Sequence, residues 1–105
     1  MLEIKTNLQH AEIFLELYAS VGREPPCEAQ VRTALQNSLA TFAAFEDGKP
    51  VGMVRLIGDG GMSFYIQDFV VLPSRHGEGI GTTLLCTLEH NYAIPLSPAG
   101  RSVWN

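Results

Sequence analysis

Residues 69–85 read Phe69-Val70-Val71-Leu72-Pro73-Ser74-Arg75-His76-Gly77-Glu78-Gly79-Ile80-Gly81-Thr82-Thr83-Leu84-Leu85, and the character of the chain changes three times within them. The aromatic and β-branched start suits a strand, and Pro73 ends it. Three of the ten glycines then stand at 77, 79 and 81. Side chains omitted at alternate positions let a backbone approach a bulky anion. Beyond the glycines, Ile80, Leu84, Leu85 and Leu88 share one helical face that runs to about His90 or Asn91. A loop that opens a helix leaves the first-turn N–H groups without intrahelical partners, at the positive end of the helix dipole. That arrangement suits a pyrophosphate. The competing reading is a tight strand-to-helix connection whose glycines only solve a packing problem.

Two other phosphate motifs fail. A dinucleotide fold wants G-x-G-x-x-G, but position 82 is Thr, no acid stands about 20 positions beyond, and the upstream strands form a meander instead of a crossover unit. No Gly-Lys-Ser/Thr triplet occurs, so there is no P-loop.

Upstream, Asp47-Gly48 supplies hairpin turn chemistry between strand-like runs at residues 41–45 and 51–57. A second glycine-rich turn at residues 58–61 leads into a third strand over residues 62–71. Nearer the start, residues 2–5 suit a short strand, and Thr6-x-x-Gln9 has the form of a capping box for a first helix. Ala11, Phe14, Leu15, Tyr18 and Val21 form that helix's apolar stripe, and Gly22 ends it. After Pro25-Pro26 a second helix is expected over residues 27–39, with Val31, Ala34, Leu35 and Ser38 on one face.

The chain has 105 residues, 46% hydrophobic and 17% charged, which fits one globular domain over residues 1–105. A formal charge of -4 gives no general attraction to nucleic acid or anionic lipid. Cys27 and Cys86 lack metal or redox spacing and read as reduced, partly buried thiols. With no signal-peptide pattern and no membrane-length apolar run, a cytoplasmic location is expected.

The stretch from Val71 to Leu85 resembles the acetyl-CoA motif of the GNAT family of N-acetyltransferases. In that family a Val and a Pro are followed by Gln or Arg, then x-x-Gly-x-Gly or Ala, and then two leucines down the helix. The resemblance covers residues 1–92 and implies an α/β (α+β) fold with a mixed, mainly antiparallel sheet in the order β1-α1-α2-β2-β3-β4-α3. It also implies acetyl transfer from acetyl-CoA to a primary amine of a small molecule or peptide, without a metal. Alternatives are a non-catalytic acyl-CoA-binding sensor or partner subunit, and a purely structural relic.

By the same resemblance, the backbone of Phe69, Val70 and Val71 pairs with the pantetheine arm, and an N–H there polarises the thioester carbonyl. Gly77, Glu78, Gly79, Ile80, Gly81 and Thr82 hold the pyrophosphate. The chain departs from the family in carrying His76 where Gln or Arg is usual, with Arg75 one residue earlier; either is expected beside the cofactor.

Acetyl transfer needs a base for the amine proton. Asp68, on the cofactor strand, is the first candidate and Tyr65 the second. The bland alternative for Asp68 is a strand-end carboxylate bonded to nearby groups. Tyr92 reads as the apolar close of the third helix, and His10 and His90 as solvated helix residues. Residues 93–105 carry two prolines and a glycine and read as an irregular tail. The family fold continues with another parallel strand, a helix and two strands. The loss of helical pattern after His90 favours a truncated or frame-altered version of a longer enzyme over a natural short form or a chain completed by a second subunit. An exposed edge on the cofactor strand is expected to pair with another copy, giving a homo-oligomer.

Overall fold

The strands are β1 (Leu2–Thr6), β2 (Ala40–Glu46), β3 (Lys49–Gly58) and β4 (Phe64–Val71), and the helices are α1 (Ala11–Ser20), α2 (Glu28–Gln36) and α3 (Ile80–Tyr92). They follow in the expected order β1-α1-α2-β2-β3-β4-α3. The computed structural model describes residues 2–59 and 61–92; the tail read from residues 93–105 lies outside the described residues. The sheet runs β1-β2-β3-β4, and each of these pairings is antiparallel.

Helices cover both faces of the sheet. Phe14, Leu17 and Tyr18 of α1 join Val31 and Leu35 of α2 over Met53 and Val70. On the opposite face Ile80, Leu84 and Leu88 of α3 pack on Phe42, Val54 and Leu56. The inner strand β2 is buried on both sides and feeds alternate residues to the two cores, Ala43 and Phe45 to one, Phe42 and Ala44 to the other. That is why residues 40–45 read as an almost unbroken apolar run. Leu17, Leu56, Leu84 and Leu88 are fully enclosed, and truncating any of them to Ala costs about 2–5 kcal/mol.

The β2–β3 connection is the two-residue turn that the sequence called for: Asp47 and Gly48 both have positive φ, 53° and 80°, as a type I′ hairpin requires. Asp59 organises the β3–β4 turn, its Oδ1 accepting from the N–H groups of Gly61, Met62 and Ser63 at 2.8, 2.8 and 3.0 Å. The third strand begins at Phe64 instead of Met62, because residues 62 and 63 serve this turn.

Several local expectations are corrected. Thr6 ends β1, paired with Phe42, so it caps no helix. α1 begins at Ala11 with His10 as the preceding residue, and the Gln9 amide donates to Leu35 O at 3.3 Å. Leu17, absent from the expected stripe, is in the core, while Leu15 is half-buried and Val21 exposed. Gly22 does close the helix, at φ 76°. α2 stops at Gln36, short of residue 39: the Asn37 amide donates to Thr33 O at 2.8 Å alongside its own backbone N–H, and Ser38 Oγ donates to Ala34 O at 2.6 Å while the Ser38 N–H turns to Leu35 O. Both cysteines are free, and both are exposed instead of partly buried.

One irregularity in β4 positions the site. Arg55 faces Asp68 and Leu56 faces Ile66, which leaves Gln67 as an extra residue in a β-bulge. Phe64 and Ile66, before the bulge, pack on the α3 side. After it Val70 enters the α1/α2 core, while Val71 packs on the α3 side.

Candidate functional site

Eight residues singled out from the sequence, Phe69, Val71, His76, Gly77, Gly79, Ile80, Gly81 and Thr82, line one groove of about 530 Å³, and Arg75 lies among them. Val70 and Glu78 do not line it. The Val70 side chain is buried toward α1 and α2, and Glu78 reaches away to Arg75.

The three glycines have two different reasons to be glycine. Gly77 and Gly79 sit at φ 86° and 82°, a left-handed backbone costly for other residues, and a Cβ on either would meet nothing within 4 Å. Gly81 has no such backbone, but its Cβ would stand 3.1 Å from Phe69 Cζ. Backbone conformation therefore calls for glycine at 77 and 79, and packing against Phe69 calls for it at 81. The first α3 backbone bond runs from Thr83 N–H to Gly79 O at 3.0 Å, so the N–H groups of Ile80, Gly81 and Thr82 precede the helical ladder and lie along the groove.

The charged groups beside the loop are already engaged. Arg75 Nε donates to Glu78 Oε1 at 2.8 Å and its Nη2 to Glu46 Oε1 at 3.1 Å; the Glu78 bond holds the guanidinium further toward its charged form. His76 Nε2 lies 3.0 Å from Val71 O. A carbonyl can only accept, so the ring donates through Nε2 and ties the loop to the end of β4. Any phosphate grip in this groove rests mainly on main-chain N–H groups.

Asp68 lies on the other face of the sheet. The residue is 5% exposed. It accepts from Tyr18 Oη at 2.5 Å and from Arg55 Nε at 2.6 Å, with Arg23 Nη1 3.8 Å away. Arg55 continues to Ser38 Oγ at 3.2 Å. Burial, reinforced by the bond to Asp68, pushes the Tyr18 phenol up to about 12. These groups form one end of a second, smaller hollow of about 180 Å³ between α1, α2 and the sheet. Tyr65 is 36% exposed, on β4 opposite Ile57. Sequence reasoning missed Tyr18, Arg55 and Ser38 as Asp68's network. The available signal was a lone Arg inside the apolar run of residues 51–57, which needs a buried acid to face it.

His10 and His90 are exposed, and Tyr92 closes α3 with its hydroxyl donating to Leu39 O at 3.3 Å. Among the described residues no three His, Cys, Asp or Glu side chains gather as a metal site. No helix among them is long and apolar enough to cross a membrane.

The family model described as acetyltransferase (GNAT) family matches residues 8–94, which takes in the meander, the glycine loop and α3. The chain belongs to the GNAT family. Among solved structures, a GNAT family acetyltransferase of Streptococcus pneumoniae is 35% identical, with a TM-score of 0.79 over 89% of this chain and 69% of that one. A Staphylococcus aureus protein of unknown function, described as a probable acetyltransferase, is 27% identical, with a TM-score of 0.81 over 89% of this chain and 70% of its own. Serotonin N-acetyltransferase 2, chloroplastic, from Oryza sativa subsp. japonica is 35% identical over 74 residues, 67% of this chain. This chain spans 37% of the length of that curated GNAT relative.

Proposed function

We propose that this GNAT chain binds acetyl-CoA and takes part in transferring its acetyl group to a primary amine of a small molecule or peptide. The observation that carries the proposal is the continuity of one groove from Phe69 and Val71 on β4 to the first-turn N–H groups of α3. Gly77, Gly79, Ile80, Gly81 and Thr82 offer the pyrophosphate main-chain donors, and β4 offers the pantetheine arm an edge with no strand beyond it among the described residues. Acetyl-CoA supplies a thioester carbonyl as the electrophile. The amine nitrogen forms the C–N bond, the C–S bond breaks, sulfur leaves as thiolate, and the amine gives up one proton. An outward N–H among residues 69–71 stabilises the oxyanion that develops on the carbonyl oxygen.

In this reading Asp68 positions β4 and takes no proton, because its carboxylate is already engaged by Tyr18 and Arg55. Tyr65, exposed on the same strand, is the side chain left to pass the amine proton to water. That engagement of Asp68 also favours a second reading, an acyl-CoA-binding subunit without turnover. Free, exposed thiols suit a reducing cytoplasm, and self-association through β4 would compete with the pantetheine arm for the same edge.

Calorimetric titration with acetyl-CoA tests the shared core of both readings, and no detectable heat rejects both. Thiol release with a panel of amines then separates them. Turnover that disappears in Tyr65→Phe supports the relay; binding without thiol release selects the subunit.

A further inference from the structure

The two hollows meet at neighbouring residues. Phe69 lines the groove and Asp68 the smaller cavity, on opposite sides of β4, with consecutive Cα atoms about 3.8 Å apart. A molecule seated in the cavity thus lies one strand's thickness from the edge on which the thioester is placed.

The cavity has a definite chemical character. Phe14, Pro26, Val31 and Leu35 give it apolar walls, and its volume of about 180 Å³ compares with the roughly 150 Å³ engineered apolar cavity that accepts benzene. At its polar end Asp68 is the one acid among the described lining residues, and it is matched by Arg55 at 2.6 Å with Arg23 at 3.8 Å. Arg23 is half exposed and not among the described lining residues, so the Asp68–Arg55 pair leaves the lining without an unpaired acid. A second ammonium group entering here would meet the Arg55 guanidinium and a carboxylate already engaged, whereas an aromatic ring or branched alkyl group would bury apolar surface at no electrostatic cost.

We propose that this cavity holds the uncharged, apolar part of the acceptor, so that the preferred acceptor is a monoamine joining one aromatic or branched-alkyl group to its amino group by a short linker. Polyamines and amino sugars with several charges are excluded. The inference rests on the acetyl-transfer reading above, because only that reading places a reacting centre at the neighbouring edge. Ala34, half-buried on the cavity wall, controls the space available.

The test follows backbone amide resonances of the full chain during separate titrations with 2-phenylethylamine, spermidine and CoA. The expected result is that 2-phenylethylamine shifts Tyr18, Val31, Ala34 and Asp68 with a dissociation constant at least tenfold below that of spermidine. Ala34→Leu should weaken 2-phenylethylamine at least tenfold while CoA still shifts Gly77 and Gly79. Equal or tighter spermidine binding, shifts confined to other residues, or a folded Ala34→Leu that binds 2-phenylethylamine unchanged would each overturn the proposal. Should Ala34→Leu not fold, the comparison of the two amines on the unaltered chain decides. Failure of CoA to shift residues 77–82 would overturn the cofactor reading itself, a result distinct from any pattern among the amines.

Discussion

The Tyr18 hydroxyl donates to Asp68 Oδ1 at 2.5 Å, and Arg55 Nε meets the other oxygen of the same carboxylate at 2.6 Å. One buried acid therefore holds α1, β3 and β4 together. The Tyr18 phenol is pushed up to about 12, above its ordinary value of about 10. Its contribution to stability is thus whole below pH 10 and is lost as pH climbs from 10 toward 12. Ultraviolet titration should show a late phenolate step near pH 12 that disappears in Tyr18→Phe. At pH 7 the variant should lose about 1–2 kcal/mol in urea denaturation, since Asp68 keeps its Arg55 partner.

Removing Arg55 is a harsher change. Arg55→Met leaves a buried carboxylate with the Tyr18 hydroxyl but no guanidinium nearer than the half-exposed Arg23 at 3.8 Å, and breaking a buried pair from one side costs about 3–5 kcal/mol. Adding Asp68→Asn should restore a large part of that loss. A double variant as unstable as Arg55→Met alone would show that packing, and not the stranded charge, is responsible.

Gly79→Ala and Gly81→Ala should separate the two uses of glycine. Gly79→Ala forces a side chain into φ 82° and should cost about 1–2 kcal/mol together with acetyl-CoA affinity. Gly81→Ala crowds the end of a ring that is 40% exposed; the ring can swing into the groove, so binding should fall more than stability. Adding Phe69→Leu should recover binding in the Gly81→Ala background and leave the Gly79→Ala defect in place. Calorimetry on the four variants reads this directly.

Glu78 places a negative charge beside a groove read as an anion site and occupies Arg75 Nε. Glu78→Gln should tighten acetyl-CoA binding by about two- to fivefold at low salt, the range set by a surface ion pair. The gain should shrink in 0.5 M salt, at a Debye length of about 4 Å. An unchanged affinity at both salt concentrations would mean that Arg75 makes no approach to the ligand.

The meander and the glycine loop were legible because their signals are local: Asp47-Gly48 fixes a turn by its own backbone preferences, and Gly77 and Gly79 mark left-handed positions. The start of α1 was not, because Thr6 had a second use. Its pairing with Phe42 in the sheet outweighed a side-chain cap. Asp68 was legible as a notable residue but not in its role, since Tyr18 lies fifty positions away in sequence. The exposure of Cys27 and Cys86 left no sequence signal, being set by which helix faces the sheet uses.

The bulge at Gln67 shifts the phase of β4, so that Ile66 and Asp68, two positions apart, face opposite layers of helices. Its integrity depends on a count as much as on chemistry. Replacing Gln67 with another polar residue leaves the bulge intact, whereas deleting it makes Ile66 and Asp68 adjacent opposite Leu56 and Arg55, so that the ladder becomes regular, every side chain keeps its face and only the local bend is lost. Along this strand, the residue that can be removed without turning any other side chain over is Gln67, the one that faces no partner on β3.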